Sequence, residues 1–421
     1  MASISQLINQ TIKKEDLGTE VFNPSYSMGL DLLDYRNGWI EEEKKCLGIT
    51  GGKITTFIGK SGSGKSTLAV QAAWNIVKDE ENGQIIHLDY ERAANKARIS
   101  KMTGLPVAEI AATGEKYCYL NSEIYSETLY KLVKAVHKLK LENAGDISKE
   151  TNGKKHLPPT VIIVDSMASM TPQNIVDEEE LSGQMSATAM ARTNNSIIKR
   201  INNIIGDANI TILIINHITQ KIEIGPVKTK PLLNFLGQDE TVPGGSSSIF
   251  LADTLIKLAP GPKLDEAKDY GVKGFYVIAE YIKSRSNVSG IKMELIYEQS
   301  SGFDNLLTNV NMFKKEGVLQ GSGQGGYFIP SYPEGKFKLK AIRDVFDKDE
   351  KLNVEFDKFV EEKYSMFLSE ESCDPYAQDI ELVENIKDNI WKATDGNYYT
   401  YDEGTQGVEP YTGDIKKLTK K

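Results

Sequence analysis

One short segment of the sequence has the glycine and lysine spacing of a phosphate-binding loop. Its residues match the pattern GxxxxGK[ST] and are Gly59, Lys60, Ser61, Gly62, Ser63, Gly64, Lys65 and Ser66. In such a segment the glycines let consecutive backbone N–H groups surround phosphate oxygens, Lys65 supplies a positive charge, and the Ser66 hydroxyl can bind Mg²⁺. The apolar run 54–58 precedes the segment and a helical run starting at Thr67 follows it, as the motif requires. We therefore predict that these residues, together with Thr67, bind a nucleotide with Mg²⁺.

Two acidic residues further along the chain are candidates for work on the same phosphates. Asp165 ends the aliphatic run 161–164, and a carboxylate at the end of a buried strand can hold a water molecule of the Mg²⁺ shell. Ser66 and Asp165 are therefore the predicted metal-binding pair. Glu91 follows another apolar run and is the predicted base that orients water at the γ-phosphate. Asp89 is the alternative base, and stabilisation of a helix N-terminus is the alternative role of Glu91.

Short β-branched runs separated by helical stretches must position these side chains. The runs are 54–58, 84–88, 160–164, 210–215, 254–258, 275–282 and 291–297. Strands that are buried on both faces have this composition. The sequence therefore predicts an α/β fold with a mostly parallel central sheet in a core domain of residues 51–312.

Two further regions flank this predicted core. In residues 1–50, apolar side chains at helical spacing predict a small N-terminal helical segment for oligomerisation, at Ile4, Leu7, Ile8 and Ile12. Packing of that helix on its own domain is the alternative. Residues 313–421 are predicted to form a C-terminal α+β accessory domain with an acidic tail. The tail could compete with nucleic acid for basic loops, or it could simply be a solvated surface.

Composition and charge limit the classes of protein that this chain can belong to. It has 421 residues, of which 40% are apolar and 26% are charged, so it can form a core. Its aliphatic runs are far shorter than the roughly 20 residues that a spanning helix needs. The net charge of −9 argues against a basic coat but does not exclude nucleic acid, which local basic loops can bind. Three widely spaced cysteines and four histidines show no disulfide or zinc pattern, so we expect a cytoplasmic protein.

Four motifs, in order along the chain, resemble those of the RecA recombinase family, and of its phage UvsX-type members in particular. Residues 165–172 (DSMASMTP) are similar to the family's DSxAxxTP after its Walker B strand. Residues 214–217 (IINH) end a run at a position where the UvsX type also has a histidine. Thr241 with Gly244 and Gly245 resembles the close of a DNA-binding loop, and residues 283–285 match the KSR of the UvsX type. The resemblance covers about residues 27–311.

The resemblance implies a RecA-like P-loop ATPase core and a DNA-dependent ATPase that uses ATP and Mg²⁺. Such a recombinase self-associates into helical filaments on single-stranded DNA. It then pairs that strand with homologous double-stranded DNA in recombination, repair and recombination-dependent replication, with single-strand-binding and mediator proteins as possible partners. We would expect it in the DNA-associated cytoplasm of a bacterium or of a phage-infected host.

The resemblance also implies roles for individual residues. Glu91 takes the catalytic glutamate role, and His217 senses the γ-phosphate and begins the second DNA-binding loop. Lys283 and Arg285 stabilise γ-phosphate charge on a neighbouring subunit, as an arginine finger does. Where the family has an adenine-stacking tyrosine this chain has Lys96, so nucleotide preference stays open, and Arg98 is our nearby candidate for nucleotide contact.

In the family two loops hold single-stranded DNA, and here they correspond to about residues 173–184 and 218–243. Phosphate contacts are expected from basic side chains in the second loop and on the helix after the first, with two glycines closing the second loop. These candidates are Arg192, Lys199, Arg200, Lys221, Lys228, Lys230, Gly244 and Gly245.

The main alternative is a hexameric DNA helicase of the DnaB type, which shares the P-loop, the sheet and a K-x-R followed by glycine, here Lys283, Arg285 and Gly290. Only about fifty residues precede the predicted sheet, fewer than the usual helicase N-terminal domain, and the DSxAxxTP motif with paired glycines fits recombinases better. A RecA-fold regulator of the circadian-clock type would need a second copy of the core, and the sequence has no internal repeat.

Overall fold

The computed structural model describes residues 22–151, 153–177, 183–220, 235–237, 240–265 and 269–368, together with four later strands. The chain divides into two compact units, Met1–Glu370 and Glu371–Lys421, which are described separately. The helix predicted at residues 4–12 and the predicted DNA contacts Lys221, Lys228 and Lys230 lie outside the described residues. The domain boundaries predicted at 50 and 312 stay predictions.

Within the described residues, the first unit is organised around a nine-stranded sheet. Its strands are β1 (Ile54–Gly59), β2 (Gln84–Asp89), β3 (Tyr117–Leu120), β4 (Thr160–Asp165), β5 (Ile210–His217), β6 (Thr254–Lys263), β7 (Gly274–Ser284), β8 (Lys292–Glu298) and β9 (Gly302–Phe303). The order across the sheet is β9-β8-β7-β6-β1-β5-β4-β2-β3. The pairings from β6 to β3 are parallel, and those from β6 to β9 are antiparallel. The predicted α/β fold with a large, mostly parallel sheet is therefore confirmed.

Helices cover both faces of this sheet. They are α1 (Asp31–Arg36), α2 (Lys65–Val77), α3 (Lys96–Thr103), α4 (Ser126–Glu142), α5 (Gly183–Asn202), α6 (Ser247–Phe250), α7 (Asn305–Lys315) and α8 (Glu350–Tyr364), with shorter helices at Ala144–Ile147, Gln173–Val176 and Ile342–Phe346. Alternate residues of each strand face opposite sides. Ile163 and Leu213 therefore pack in one core with α2, whereas Ile162 and Ile212 pack in a second core with α4 and α5.

Small strand pairs lie outside the central sheet. They are Ser25–Tyr26 with Ile49–Thr50, Trp39–Glu41 with Lys44–Cys46, Lys149–Thr151 with Lys154–His156, Thr219–Gln220 with Glu240–Thr241, and the three strands Gln320–Ser322, Gly326–Ile329 and Tyr332–Phe337. The second unit contains an antiparallel sheet of Leu382–Lys387, Ile390–Ala393, Tyr398–Asp402 and Gly407–Pro410. Among the described residues, no helix is both long and apolar enough to cross a bilayer.

Residues just after the predicted core boundary at 312 belong to the same compact unit as the sheet. The boundary falls inside α7, which spans Asn305–Lys315. Phe313 of α7 packs edge-on against Phe356 and Phe359 of α8, with ring centroids 5.9 and 5.0 Å away. These rings share one apolar core with the strands of the sheet. The apolar face of α7 therefore joins the following segment to the sheet.

A lysine is buried at the edge of the sheet where β4 and β5 begin. The Nζ atom of Lys140 in α4 donates to the carbonyl oxygens of Pro158 at 2.6 Å and Asn209 at 3.3 Å, and to Thr160 Oγ1 at 3.1 Å. These acceptors carry no charge, and burial lowers the pKa of Lys140 to about 7. Lys140 thus links α4 to two strands, in an environment that disfavours its charged form.

We expect Lys140→Met to change how stability depends on pH. Between about pH 7 and pH 10 the unfolded chain binds a proton at Lys140 that the folded chain does not, so the free energy of unfolding of the wild type rises with pH. Relative to the variant, that rise should approach about 1.4 kcal/mol per pH unit. Urea unfolding of both proteins at several pH values in this window measures the difference. A difference that stays constant with pH would contradict this account of Lys140.

Candidate functional site

The glycine-rich segment forms the turn between β1 and α2. β1 ends at Gly59, where a Cβ atom would lie 2.1 Å from the carbonyl oxygen of Leu258, so a larger residue does not fit. Gly64 is the N-cap of α2, with a left-handed φ of 88°, and no side chain caps the helix. The first N–H groups of α2 therefore have no acceptor within the helix, and they lie at its positive end. This turn is suited to binding an anion.

Lys65 is held inside this turn. Its side chain is almost fully buried, and its Nζ atom donates to the carbonyl oxygen of Lys60 at 2.9 Å. Burial lowers the pKa of Lys65, whereas the nearby carboxylates of Asp165 and Glu91 raise it. The amine of Lys65 therefore lies inside the turn, where it could contact a phosphate held by the first N–H groups of α2.

Asp165 ends β4 next to the turn, as the sequence predicted. The pKa of Asp165 is raised to about 7, chiefly by burial and also by the nearby Glu91 and Asp89, although a hydrogen bond from Ser66 and the charge of Lys65 lower it. Its Oδ1 atom is buried and has no hydrogen-bond partner. A buried oxygen without a partner, beside a serine hydroxyl, fits a hard divalent cation such as Mg²⁺. Because no group of three His, Cys, Asp or Glu side chains in the described residues could hold a metal, such a cation would need phosphate or water ligands as well.

Glu91 lies at the centre of a hydrogen-bonded group that joins three strand ends. Its Oε1 atom accepts a hydrogen bond from the Ser166 hydroxyl and lies 2.6 Å from His217 Nε2. Its backbone N–H donates to the carbonyl oxygen of Asp165 at 3.2 Å. His217 in turn is paired in register with Gly59 of the neighbouring strand. The structure thus brings Glu91, His217, Asp165 and the glycine-rich turn together at one edge of the sheet.

Asp89, the alternative base, is occupied by structural contacts. It is fully buried and accepts hydrogen bonds from the Tyr119 hydroxyl at 2.7 Å and from the N–H groups of Ala94 and Ala93 at 2.9 and 3.3 Å. Both carboxylate oxygens are therefore used to hold the loop after β2. Glu91, which is about one quarter exposed, is the more accessible of the two carboxylates.

Arg98 faces an aromatic cluster beside α2. The Asn95 side chain caps α3 by accepting from the N–H groups of Ala97 and Arg98, which fixes Arg98 in the first turn. Its Nη2 atom hydrogen-bonds the Tyr297 hydroxyl, and its Cζ atom lies 5.4 Å from the centroid of that ring. Arg98 therefore lies near the start of α2 but is engaged by a protein partner.

Three residues that support the turn were missed by the sequence analysis. The Gln71 amide of α2 exchanges two hydrogen bonds with the backbone of Phe303, at 2.9 and 2.8 Å. Tyr297 lies 3.4 Å from Thr67 Oγ1 and contacts the Phe303 ring edge-on. The contacts of Phe303 and Tyr297 with α2 join residues about 230 positions apart, so no local sequence pattern predicts them.

Lys283 and Arg285 lie at the opposite edge of the sheet from the turn. Ser284 at the end of β7 pairs with Thr254, which pairs with Thr55 near the start of β1. The length of β1 beyond Thr55 alone separates this edge from Gly59 by roughly 13 Å. Lys283 Nζ donates to the carbonyl oxygen of Phe250 at 2.8 Å, and burial lowers the pKa of Lys283.

The predicted DNA contacts on α5 share one surface. Arg192, Lys199 and Arg200 are exposed, and their spacing of seven and eight residues places them on one face of the helix. The Arg200 guanidinium lies 5.9 Å from the centroid of the Tyr130 ring of α4. These three cations therefore form a basic stripe that is open to solvent.

Gly244 and Gly245 make close backbone contacts where the second predicted loop ends. Their φ angles are 85° and 105°. A Cβ atom would lie 2.7 Å from the carbonyl oxygen of Met167 at Gly244, and 2.5 Å from Asn195 Oδ1 at Gly245. The same Asn195 atom accepts from the N–H of Ser247 at 2.9 Å. The paired glycines thus allow the end of this loop to pass close to the segment after β4 and to α5.

Neither a scan against protein-family models nor a search among curated proteins finds a match to this chain. The glycine-rich turn, the buried carboxyl of Asp165 and the Glu91–His217 pair occupy one edge of the sheet. A pair of cations occupies the other edge.

We expect Asp165→Asn to stabilise the ligand-free protein at alkaline pH. Between about pH 4 and pH 7 the folded chain retains a proton on Asp165 that the unfolded chain has released, so the stability of the wild type falls as pH rises. The variant lacks this loss, and its gain in free energy of unfolding should be on the order of 2 kcal/mol larger at about pH 8 than at about pH 5. Denaturant unfolding without Mg²⁺ or nucleotide measures the gain. An equal gain in free energy of unfolding at both pH values would show that burial does not disfavour the charged carboxylate.

Proposed function

We propose that this protein is an ATP-dependent DNA recombinase with a RecA-like P-loop ATPase core. It binds ATP with Mg²⁺, forms helical filaments on single-stranded DNA, and pairs that strand with a homologous duplex. The observation that carries the proposal is the meeting of Lys65, Asp165, Glu91 and His217 at the carboxyl edge of the parallel strands. That edge is where open α/β sheets bind ligands.

Each residue at this edge has a proposed role in ATP hydrolysis. Lys65 and the N–H groups at the start of α2 bind the phosphates. Ser66 and Asp165 hold Mg²⁺, which when bound neutralises phosphate charge. Glu91 orients or deprotonates the attacking water. His217 holds Glu91 and immediately precedes the second loop, so it can relay the state of the γ-phosphate to that loop.

The position of Lys283 and Arg285 supports assembly of subunits head to tail. Because these cations lie toward the end of the strands away from the phosphate site of their own chain, we expect them to act on the ATP of a neighbour. An interface between two different surfaces of one protein generates a filament or a ring. Hydrolysis would then require a neighbouring subunit.

DNA would bind along the basic stripe of α5 and the second loop. Arg192, Lys199 and Arg200 would neutralise phosphates without reading bases, and sequence specificity would come from base pairing between strands. Binding should therefore weaken as salt is added. The protein would act in the cytoplasm, where its DNA substrates lie.

Negative-stain electron microscopy with long single-stranded DNA, Mg²⁺ and a slowly hydrolysed ATP analogue tests this function. Continuous helical filaments on the DNA are the expected result. Lys65→Ala should abolish the filaments, because the phosphates lose their buried cation. Closed rings threaded on otherwise bare DNA would instead support a hexameric helicase.

A mixing experiment tests the action of Lys283 on a neighbouring subunit. Glu91→Gln and Lys283→Ala proteins should each bind ATP but hydrolyse it slowly on DNA. In an equal mixture, about a quarter of the interfaces should combine an intact Glu91 with an intact Lys283 of the neighbour. DNA-stimulated hydrolysis by the mixture should therefore recover to about that fraction of the wild-type rate.

The control is an equal mixture of Glu91→Gln with Glu91→Gln,Lys283→Ala, which restores no complete interface and should stay inactive. Full activity of Lys283→Ala alone would remove the proposed role of Lys283. Two inactive single variants whose mixture also stays inactive would place Lys283 in the site of its own subunit, against the proposal.

A further inference from the structure

An ion pair links the phosphate-binding turn to the base of the second loop. Lys60 Nζ lies 3.2 Å from Glu240 Oε1. Lys60 is the second residue of the turn, directly after Gly59. Glu240 lies in the short strand Glu240–Thr241, which pairs with Thr219–Gln220 directly after His217 and Ile218. The pair therefore joins the turn to the stem of the segment that begins at His217.

Glu240 is the more firmly held partner of this ion pair. Its Oε2 atom accepts a hydrogen bond from the N–H of Gly237 at 2.9 Å. That N–H, together with Lys60 and Lys257, lowers the pKa of Glu240, so the carboxylate is charged at neutral pH. The side chain of Glu240 is 18% exposed, whereas that of Lys60 is 60% exposed. Lys60 is therefore the partner with more freedom to turn.

Lys60 can thus pair with either of two anions, the Glu240 carboxylate or a nucleoside triphosphate bound in the turn. In the ligand-free protein the Glu240 carboxylate occupies Lys60 from the side of the loop stem. A nucleoside triphosphate in the turn would bring several negative charges next to the backbone of Lys60. A flexible ammonium group on an exposed stem can exchange one oxygen partner for another at small cost.

We propose that Glu240 is a positioning residue that competes with bound nucleoside triphosphate for Lys60. In the absence of nucleotide, the pair holds the loop stem against the turn. Triphosphate binding draws Lys60 away and frees the stem. By thermodynamic reciprocity, any change that frees Lys60 from Glu240 also strengthens triphosphate binding. This inference rests on the proposed binding of nucleotide in the turn, but not on recombinase activity.

A double-mutant cycle on the full-length protein tests the competition. The measured quantity is the Kd of a fluorescent, slowly hydrolysed ATP analogue with Mg²⁺ at low salt. Glu240→Gln should lower the Kd about two- to fivefold, the range of a partly exposed ion pair. In the Lys60→Met background the same substitution should leave the Kd unchanged. The effect in the presence of Lys60 should shrink as salt is added.

Glu80→Gln is the matched control. Glu80 forms a 2.7 Å ion pair with Lys149 and is 24% exposed, comparable to Glu240, but it lies beyond the other end of α2. Because it removes the same charge without touching Lys60, it should leave the Kd unchanged. Thermal melting of each variant reports any loss of folding separately.

The outcomes distinguish this inference from the proposed function. If the wild type binds the analogue and Glu240→Gln changes the Kd equally in both backgrounds, or raises it, competition for Lys60 is wrong while nucleotide binding stands. If the wild type binds no nucleotide under any condition, both the proposed ATPase and this inference are wrong. Coupling without filaments on DNA would support the inference and count against the recombinase.

Discussion

The arrangement of this protein depends on charges that are kept out of water at one edge of a parallel sheet. Burial raises the pKa of Asp165 to about 7 and lowers that of Lys65, so each group is held in an environment that disfavours its charge. Neither group fully compensates the other, and Oδ1 of Asp165 has no partner. A cation and an anion bound together would satisfy both. The empty site is therefore electrostatically unfavourable, and a cation and an anion that bind together would stabilise it.

The register of the strands sets the distances in this site. Asp89 and Asp165 are paired neighbours on β2 and β4, and His217 is paired with Gly59 on β5 and β1. Two carboxylates side by side would repel each other if both were charged, but these two residues have different hydrogen-bond partners. Asp89 accepts hydrogen bonds from Tyr119 and from backbone N–H groups. Asp165 is therefore the carboxyl whose buried oxygen is available to a ligand beside the turn. Glu91, two residues beyond Asp89, reaches across to His217.

Continuous apolar runs explain why most of the sheet could be predicted from the sequence. β1, β2, β4 and β5 extend only one or two residues beyond the predicted runs, because a strand buried on both faces is apolar throughout. β6 continues to Lys263 because it forms a hairpin with β7 whose outer part is half exposed, and Pro260 and Gly261 hide that extension in the sequence. β3 was missed because it is short and its side chains alternate between buried and half-buried.

The candidate site shows the same division between local and distant information. Lys65, Ser66 and Asp165 follow from spacing and from the strand that precedes each of them. In contrast, the Lys60–Glu240 pair and the Arg98–Tyr297 contact each join residues about 180 to 200 positions apart, and only the folded sheet brings them together. A sequence motif does not contain such long-range contacts. They nevertheless determine which of its side chains already have an ion-pair or hydrogen-bond partner.

Two connections run from the glycine-rich turn to the second loop, and they act on different groups. The first runs from Glu91, which would contact the attacking water, to His217 at the start of the loop, whereas the second runs from Lys60 on the rim of the turn to Glu240 in the loop stem. The first connection would respond to the γ-phosphate and its hydrolysis, and the second to the charge of the nucleotide. Because both end on the same short strand pair after His217, the loop stem can register occupancy and hydrolysis as separate events. Under the proposed function, the stem of the second loop would therefore be freed when triphosphate binds and would return to the turn after the phosphate has left.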